Sequence, residues 1–436
     1  MKGTRRISVL SVLMACFICA LSCSKQTLGT DPVNERKTLI LYSCGYNNLT
    51  GNLRSNMDSI CTAAPYEYQS GCYKLLVYSH LARTSSDYNT PVAPVLIDVY
   101  KDKWDRLVMD TLVVYPATES SASAATLHKV LSYIKGNFPS KEYGLVFSSH
   151  GTGWLPLGYY AAHEEYDDIW WNSAPAPCSA PHPAERPRYA SSYFNPIDGD
   201  LAHPLVKSVG ATYKGTSSKL ISSDEMEIVD FAAALPMKMK YIVMDACLMG
   251  GVEFACELMD KTDYFAASQT EILSHGFTYE TMPSRLLYSS SADVQGVCED
   301  FYHYYEKIKS SATVSLVDCK ALPHLMAVCR ELCEKYRSQI SSVDHKKVQE
   351  YFRSNKHWFY DLEDIFVKAG ISQADHALLS AALDECVIYK AATPSVLGVK
   401  INCHSGFSMY LPCRGSEELD EFYRNFLWNK EVALVK

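Results

Sequence analysis

The sequence predicts an α/β protein, in which helices cover both faces of a mostly parallel sheet. Compact apolar runs recur along the first two thirds of the chain, and segments with helical spacing separate several of them. Glycine- and serine-rich turns follow the apolar runs, as they do at the ends of buried strands. In addition, 47% of the 436 residues are hydrophobic and 21% are charged, which is enough to bury one large core or two smaller ones.

The first half of the chain begins with predicted strands. The runs TLILYSC (38–44), YKLLVYSH (73–80) and EYGLVFSSHGTGW (142–154) are compact and apolar, which predicts buried strands, and the third ends in a glycine-rich loop. The runs VAPVLIDVYK (92–101) and RLVMDTLVVYP (106–116) alternate apolar with polar residues and predict a hairpin. Helical spacing occurs in NLRSNMDSICTAA (52–64) and SAATLHKVLSYIKGNF (123–138).

Residues 155–220 interrupt this succession of predicted strands and helices, because they are rich in proline and small polar residues and show no clear periodicity. We interpret them as an insertion or long loop. The pattern then resumes with a predicted helix at 222–236, in which Ser223 is the N-cap and Met226, Val229 and Ala233 share a face. Next come a strand (KYIVMDA, 240–246), a helix (LMGGVEFACELMD, 248–260) and a short strand (YFAAS, 264–268). Beyond residue 290 helical patterns dominate, and 396–412 is predicted to be strand.

The N-terminus carries an export signal. A basic segment, MKGTRR, precedes the apolar run ISVLSVLMACFICAL, and a small serine stands immediately before Cys23. This arrangement resembles a bacterial lipoprotein signal and predicts that Cys23 is lipidated, although Cys16 also fits the local pattern and an ordinary cleaved signal peptide is the alternative. The prediction is a protein anchored by lipid to a bacterial cell membrane, in the periplasm or at the outer membrane and cell surface.

Two reactive residues stand directly after predicted strands. His150 lies in SSHGTG and Cys247 in DACLMG, 97 positions apart. In an α/β sheet the ligand site lies at the carboxyl ends of the strands, so these side chains are expected to face one cleft. A thiol and an imidazole are the parts of a cysteine nucleophile and its proton shuttle. A helix beginning after Cys247 would lower the pKa of the thiol through its positive end. Other histidines (163, 275 and 404) lack a comparable strand-and-glycine context.

These motifs resemble the paired signatures of a known peptidase family. SHGTGW and DACLMG are similar to the histidine and cysteine motifs of the clostripain family of cysteine peptidases, which is related in fold to caspases, gingipains, legumain and separase. YSCGYNNL (42–49) and AASQTEILSHGFTYE (266–280) also resemble segments of that family. The resemblance covers about residues 38–290.

The resemblance implies a caspase-like α/β/α sandwich and a role for each motif residue. His150 is expected to be the general base and acid, and Cys247 the nucleophile. The backbone N–H groups of Gly151 and Cys247 would form the oxyanion hole. Asp245 would help form a pocket for a basic side chain, or else shape the turn by accepting loop amides. Glu271 is a second, weaker acidic candidate.

The resulting division of the chain is a signal segment (1–23), a linker (24–37), a catalytic domain (38–290) with its insertion, and a helix-rich C-terminal region (291–436) packed on that domain. Relatives are commonly cut between the two motifs after a basic residue, and some respond to calcium. Self-processing in the insertion is therefore a hypothesis, and its basic residues are Arg186, Arg188, Lys207, Lys214 and Lys219. For calcium there are only acidic runs at 163–168 and 198–200, without an EF-hand pattern.

The predicted function is exported cysteine endopeptidase activity after Arg or Lys, on protein or peptide substrates, by a monomer. The chemistry is expected to require no cofactor, and activation by calcium stays open. Two alternatives stay open: a peptidase of this fold with another specificity, and a non-catalytic surface-binding lipoprotein. The net charge of −8 argues against nucleic-acid binding, and no zinc motif is present. Thirteen cysteines lie beyond Cys23, so at least one thiol is free or pairs between chains.

Overall fold

A computed structural model describes residues 35–157, 159, 209–216, 219–351 and 357–436. The predicted lipidation site, Cys23, lies outside these residues, as do most of the predicted insertion and its acidic runs. Within the described residues, no helix combines the length and the apolar character needed to cross a membrane.

The centre of the fold is a nine-stranded sheet. Its strands are β1 (Lys37–Gly45), β2 (Tyr73–Leu81), β3 (Val95–Lys101), β4 (Leu107–Val114), β5 (Glu142–Ser148), β8 (Met239–Asp245), β9 (Thr262–Ala267), β10 (Thr313–Asp318) and β12 (Val387–Ala392). The remaining strands form small two-stranded sheets: β6 (Val209–Thr216) with β7 (Lys219–Met226), β11 (Tyr360–Asp361) with β15 (Ser408–Met409), and β13 (Ser395–Val396) with β14 (Val399–Lys400).

The order of strands across the large sheet is β12-β10-β9-β8-β5-β1-β2-β3-β4. The five central strands, from β9 to β2, are parallel, whereas the two strands at each edge are antiparallel. The chain builds outward from β1 in one direction through β2, β3 and β4. It then returns to the other side of β1 with β5. The order therefore reverses between β1 and β5, and such a switch point leaves a crevice at the carboxyl ends of the strands.

Helices of the described residues cover the sheet. They are α1 (Thr50–Thr62), α2 (Ala124–Asn137), α3 (Ile228–Ala233), α4 (Val252–Glu257), α5 (Met282–Leu286), α6 (Val294–Lys307), α7 (Leu322–Lys335), α8 (Arg337–Ser341), α9 (Leu362–Lys368), α10 (Gln373–Cys386), α11 (Glu417–Tyr423) and α12 (Leu427–Val432). Packing joins α2, α3, α4, α12, α7 and α10 in a continuous series, whereas α1 packs on β1 and β2, and α6 packs on β9, β10 and β12.

The two helical groups lie on opposite faces of the sheet, as adjacent residues of β5 make clear. The Phe147 ring packs edge-on against Phe231 of α3, with 5.3 Å between the ring centroids. Ser148 points to the opposite face because side chains alternate along a strand, and it lines a pocket whose other wall is α1. The predicted three-layer α/β/α sandwich with a largely parallel central sheet is therefore confirmed.

The structure corrects the prediction for residues 222–236. A single helix capped by Ser223 was expected, but β7 occupies this segment up to Met226, and α3 begins only at Ile228. The buried face of α3 consists of Ile228, Phe231 and Ala232, while 37% of the Val229 surface is exposed. Pairing of β7 with β6 explains the difference, because a strand partner from the end of the predicted insertion overrides local helical spacing.

The C-terminal region is rich in helices, as predicted, because α6 to α12 all lie in it, but it also extends the sheet. Strand β10 pairs with β9, and β12 pairs with β10, so two strands from beyond residue 290 form one edge of the large sheet. The predicted strand at 396–412 is broken into the two-residue strands β13, β14 and β15. Twelve cysteines lie in the described residues, and none of them forms a disulfide there.

A buried carboxylate connects α4 to the C-terminal region. Glu253 has no exposed surface; its Oε1 accepts hydrogen bonds from the Tyr410 N–H (2.9 Å) and the Tyr423 hydroxyl (2.6 Å). Burial raises the pKa of Glu253 from 4.5 to about 7, against the opposing effect of these donors. The folded state therefore favours the protonated form. Its contribution to stability is complete below pH 4.5 and is lost as the pH rises through 7.

We predict that Glu253→Gln stabilises the protein at pH 9 relative to wild type, with little gain at pH 5. A pKa shift from 4.5 to about 7 corresponds to about 3 kcal/mol of unfolding free energy, at 1.4 kcal/mol for each pH unit. Urea unfolding at both pH values measures the difference. Glu421→Gln, at an exposed position, is the control. An effect of Glu253→Gln that is equal at both pH values would contradict the assignment.

Candidate active site

The carboxyl ends of β1, β5 and β8 meet at the switch point of the sheet. In the parallel register Ser148 of β5 pairs with Asp245 of β8, so the residues two positions further on, His150 and Cys247, leave the sheet side by side. The Ser149 N–H still donates to the Asp245 carbonyl oxygen (3.2 Å) before the two loops begin. The predicted convergence of the two motifs follows from the adjacency of their strands.

Glycines of the histidine motif let the two loops touch. A Cβ atom on Gly151 would lie 2.6 Å from the Cys247 carbonyl oxygen and 2.8 Å from the Met249 sulfur. A Cβ on Gly153, whose φ is +64°, would lie 2.6 Å from the Leu248 carbonyl oxygen. Contacts this short exclude a side chain, so the spacing of the HGTG motif is a requirement for packing against the cysteine loop.

The Cys247 thiol lies in a turn and not at the start of a helix, which corrects the sequence prediction. Helix α4 begins only at Val252, so its positive end is displaced from the thiol. Leu248, directly after the cysteine, has a φ of +61°, a left-handed conformation that is unfavourable for a branched residue. The Ile272 N–H donates to Cys247 Sγ at 3.3 Å. The thiol in turn donates to the Ile272 carbonyl oxygen at 3.6 Å, so the backbone of one residue fixes the position of the sulfur.

His150 is buried, with 1% of its surface exposed, and is held from two sides. Its Nε2 atom lies 2.7 Å from the Asn48 Oδ1 atom, in the loop after β1. Its ring is nearly parallel to that of Tyr213 in β6, with 6.1 Å between centroids. The Gly210 N–H donates to the His150 carbonyl oxygen (3.1 Å), so the β6 hairpin also fixes the backbone of the histidine loop.

A pocket of about 400 Å³ opens between α1 and the ends of β5 and β8. Its lining includes His150, Cys247 and Asp245, together with asparagines from α1 and the loop before it. Asn48, Asn52 and Asn56 recur every four residues, so one face of this segment presents carboxamides to the pocket. The structure therefore brings the predicted nucleophile, base and acidic residue to one cavity.

Asp245 forms part of a buried hydrogen-bond network. Its Oδ2 atom accepts from the Tyr279 hydroxyl (2.5 Å) and the Ser148 hydroxyl (3.0 Å). Burial raises the pKa of Asp245, against these donors, the Phe277 N–H and the nearby His275. A Cβ on Gly276 would lie 2.5 Å from the carboxylate, so this glycine leaves space for the network. Glu271, the weaker acidic candidate, is also buried but does not line the pocket.

Of the competing histidines, His275 and His404 do not line this pocket. His275 is exposed and stacks on Tyr304, with 4.1 Å between the ring centroids. His404 Nε2 donates to the Gln269 Oε1 atom at 2.8 Å. His163 lies outside the described residues.

The candidates for processing and calcium binding are only partly described. Arg186, Arg188 and Lys207 lie outside the described residues, whereas Lys214 and Lys219 are in the paired strands β6 and β7. A peptidase binds an extended and accessible segment, so these two lysines would first have to leave their hairpin. Within the described residues, no group of three or more Asp, Glu, His or Cys side chains has the arrangement of a metal site.

Three residues of the site were missed by the sequence analysis: Asn48, Tyr279 and Gln269. The Gln269 Nε2 atom donates to Ser315 Oγ (2.7 Å) and the Gly406 carbonyl oxygen (2.8 Å), and lies 3.5 Å from the Gly250 carbonyl oxygen. It thereby joins the cysteine loop to the C-terminal region. Asn48 and Gln269 occur in the segments 42–49 and 266–280, which resemble the clostripain family, so the signal was present without a residue assignment.

The sequence model of the clostripain family matches residues 211–433, which is just over half of the chain and includes Cys247. The chain belongs to the clostripain family. It is therefore a cysteine peptidase, and the non-catalytic alternative is set aside. The matched range begins after His150, so the assignment of that residue depends on the geometry described above. No curated protein matches the chain.

Solved structures agree with this family assignment. An inactive zymogen of a C11 protease from Parabacteroides distasonis is 26% identical, with a TM-score of 0.66, over 92% of this chain and 98% of that chain. A secreted C11 cysteine protease from Bacteroides thetaiotaomicron, bound to an irreversible peptide inhibitor, is 21% identical, with a TM-score of 0.65. The match covers 91% of the present chain and 98% of the Bacteroides chain. The second similarity is evidence for the fold alone.

We predict that Gly151→Ala lowers kcat/KM for peptide hydrolysis at least tenfold, because the added Cβ must push the histidine and cysteine loops apart. Steady-state kinetics with a fluorogenic peptide mixture measure the effect. Gly136→Ala is the matched control, since a Cβ on Gly136 meets no atom within 4 Å. Unchanged kcat/KM in Gly151→Ala would show that contact between the loops does not position the catalytic groups.

Proposed function

We propose that this clostripain-family protein is an exported endopeptidase that uses Cys247 and His150 as a catalytic dyad and cleaves after Arg or Lys. The observation that carries the proposal is the contact between the two loops, which places a thiol and an imidazole at one pocket at the carboxyl ends of β5 and β8. The same pocket contains a buried carboxylate, Asp245.

In the proposed reaction His150 accepts the proton of the Cys247 thiol, and the thiolate attacks the carbonyl carbon of the scissile peptide bond. The imidazolium then donates that proton to the nitrogen of the leaving amine, and a thioester remains on Cys247. Water, deprotonated by His150, attacks the thioester. The products are a carboxylic acid and the free thiol, so no metal or cofactor takes part.

The N–H groups of Gly151 and Cys247 are the proposed oxyanion donors. Two backbone donors from touching loops form a fixed pair, and preorganised donors of this kind stabilise the charge that develops on the carbonyl oxygen. The contact of Gly151 with the Cys247 carbonyl oxygen keeps the two peptide groups close.

Selectivity for a basic side chain is assigned to Asp245. The Tyr279 and Ser148 hydroxyls both bind Oδ2, so the network orients the carboxylate at the edge of the pocket. A guanidinium or ammonium group entering this cavity would find a carboxylate together with the carboxamide oxygens of Asn52 and Asn56. A second candidate function is a peptidase with non-basic specificity, in which Asp245 only shapes the turn. The two hydrogen bonds that Oδ2 already accepts favour this alternative.

The proposal for location rests on the N-terminal sequence: export, lipidation at Cys23 and attachment to a bacterial membrane, with the peptidase acting as a monomer on proteins or peptides. The acidic runs at 163–168 and 198–200 lie outside the described residues, and the proposal contains no calcium step.

Profiling with a peptide library that carries each amino acid before the scissile bond tests chemistry and specificity together. We expect Cys247→Ala and His150→Ala to lose at least a thousandfold in kcat/KM on every peptide. We expect Asp245→Asn to lose at least tenfold on Arg and Lys peptides only, because the amide oxygen still accepts from the Ser148 and Tyr279 hydroxyls while the charge is lost.

Asp260→Asn, at an exposed position, is the control for Asp245→Asn. Retained activity in Cys247→Ala or His150→Ala would refute the dyad. An equal loss on all peptides in Asp245→Asn, or wild-type cleavage after non-basic residues, would favour the structural role of Asp245.

Lipidation is tested by expression of the full-length chain in a diderm bacterium, followed by partition of the membrane fraction into detergent. We expect wild type in the detergent phase and Cys23→Ser outside it, because the thiol is the site of acylation. Cys16→Ser is the matched control. Detergent partition that follows Cys16 and not Cys23 would contradict the assignment.

A further inference from the structure

The loop that follows β1 reaches the catalytic histidine from the far side of the switch point. Asn48 Oδ1 lies 2.7 Å from His150 Nε2. A carboxamide oxygen has no proton to donate, so this contact requires the proton to be on Nε2. The lone pair of the neutral imidazole is then on Nδ1.

We infer that Asn48 is a positioning residue that fixes His150 in the Nε2–H tautomer and thereby makes Nδ1 the catalytic base. This inference rests on the proposed roles of His150 and Cys247 and adds a third member to their arrangement. The ring of Tyr213, parallel to the imidazole, limits rotation about the remaining axis. Together the hydrogen bond and the ring contact fix the orientation of the imidazole.

The position of Asn48 is itself built into the fold. The neighbouring Asn47 is fully buried; its side-chain amide donates to the carbonyl oxygens of Cys44 (3.2 Å) and Ala211 (2.8 Å). Its Oδ1 atom accepts from the Leu49 N–H at 2.8 Å. These bonds hold the turn on both sides of Asn48. The two adjacent asparagines therefore have different roles: Asn47 fixes the backbone, and the Asn48 side chain is directed at His150.

The charged surroundings of His150 determine what a change at Asn48 does. The titratable groups near this region are Tyr213 on β6, and Cys247 and Asp245 at the end of β8. Tyr279 and His275 both interact with Asp245. An aspartate at position 48 would accept the same Nε2 proton and add a negative charge. That charge stabilises the imidazolium and raises the pKa of the histidine.

Two variants separate positioning from a structural role. Asn48→Ala is expected to lower kcat at least tenfold with little change in KM, because both tautomers become accessible. Asn48→Asp is expected to recover most of kcat, and to move the acid limb of the kcat/KM profile, where protonation of His150 removes the base, upward by about one pH unit. Asn89→Ala, which removes the same side chain from an exposed loop, is the control.

Nitrogen NMR of ¹⁵N-histidine in a Cys247→Ala background reads the tautomer without any activity, and His150→Ala identifies the signal. The inference predicts an Nε2-protonated His150 that becomes a mixture of tautomers in Cys247→Ala/Asn48→Ala. A proton on Nδ1, or an unchanged tautomer in the double variant, would overturn it. If the kinetics of the Cys247 and His150 variants refute the catalytic dyad, but NMR still finds the Nε2–H tautomer of His150, only the proposed function is refuted.

Discussion

The contact between Gly151 and the Cys247 carbonyl oxygen is the constraint on which the rest of the site depends. Two loops at the ends of neighbouring parallel strands approach until no Cβ fits between them. The distance between β5 and β8 sets this approach, and the hydrophobic core sets the positions of β5 and β8. The relative position of the two loops is thus set by the sheet, because rigid strands hold the residues that follow them more precisely than long loops do.

The C-terminal region, which the sequence analysis left without a function, supports both loops from behind. The Ser408 N–H donates to the Gly250 carbonyl oxygen (3.0 Å), and Gln269 joins the same loop to Gly406. Trp154, at the end of the histidine loop, packs against Tyr410 and Tyr423, with ring centroids 4.8 and 5.2 Å away. The C-terminal region therefore contacts both the histidine and the cysteine loops. The same region is fixed to the large sheet through β10 and β12.

Much of the fold was predictable because local patterns agreed with the tertiary structure: the buried strands, the hairpin of β3 and β4, and the adjacency of the two motif strands. The failures have physical causes. Helical spacing at 222–236 was overridden in part by the β6 partner, and the helix predicted at 248–260 is shortened to Val252–Glu257 after the left-handed turn at Leu248. The roles of Asn48 and Gln269 depend on contacts between distant segments, which spacing along the chain does not encode. The hydrogen bonds of Asp245 to Ser148 and Tyr279 have the same origin.

The most direct test of the paired loops is the alkylation rate of individual thiols, measured by peptide mapping after brief treatment with iodoacetamide at pH 7. The account predicts that Cys247 reacts faster than the exposed Cys72, although only 6% of its surface is accessible, and that His150→Ala slows Cys247 at least tenfold without affecting Cys72. Equal rates at Cys247 with and without His150 would contradict the claim that the two loops form one catalytic unit.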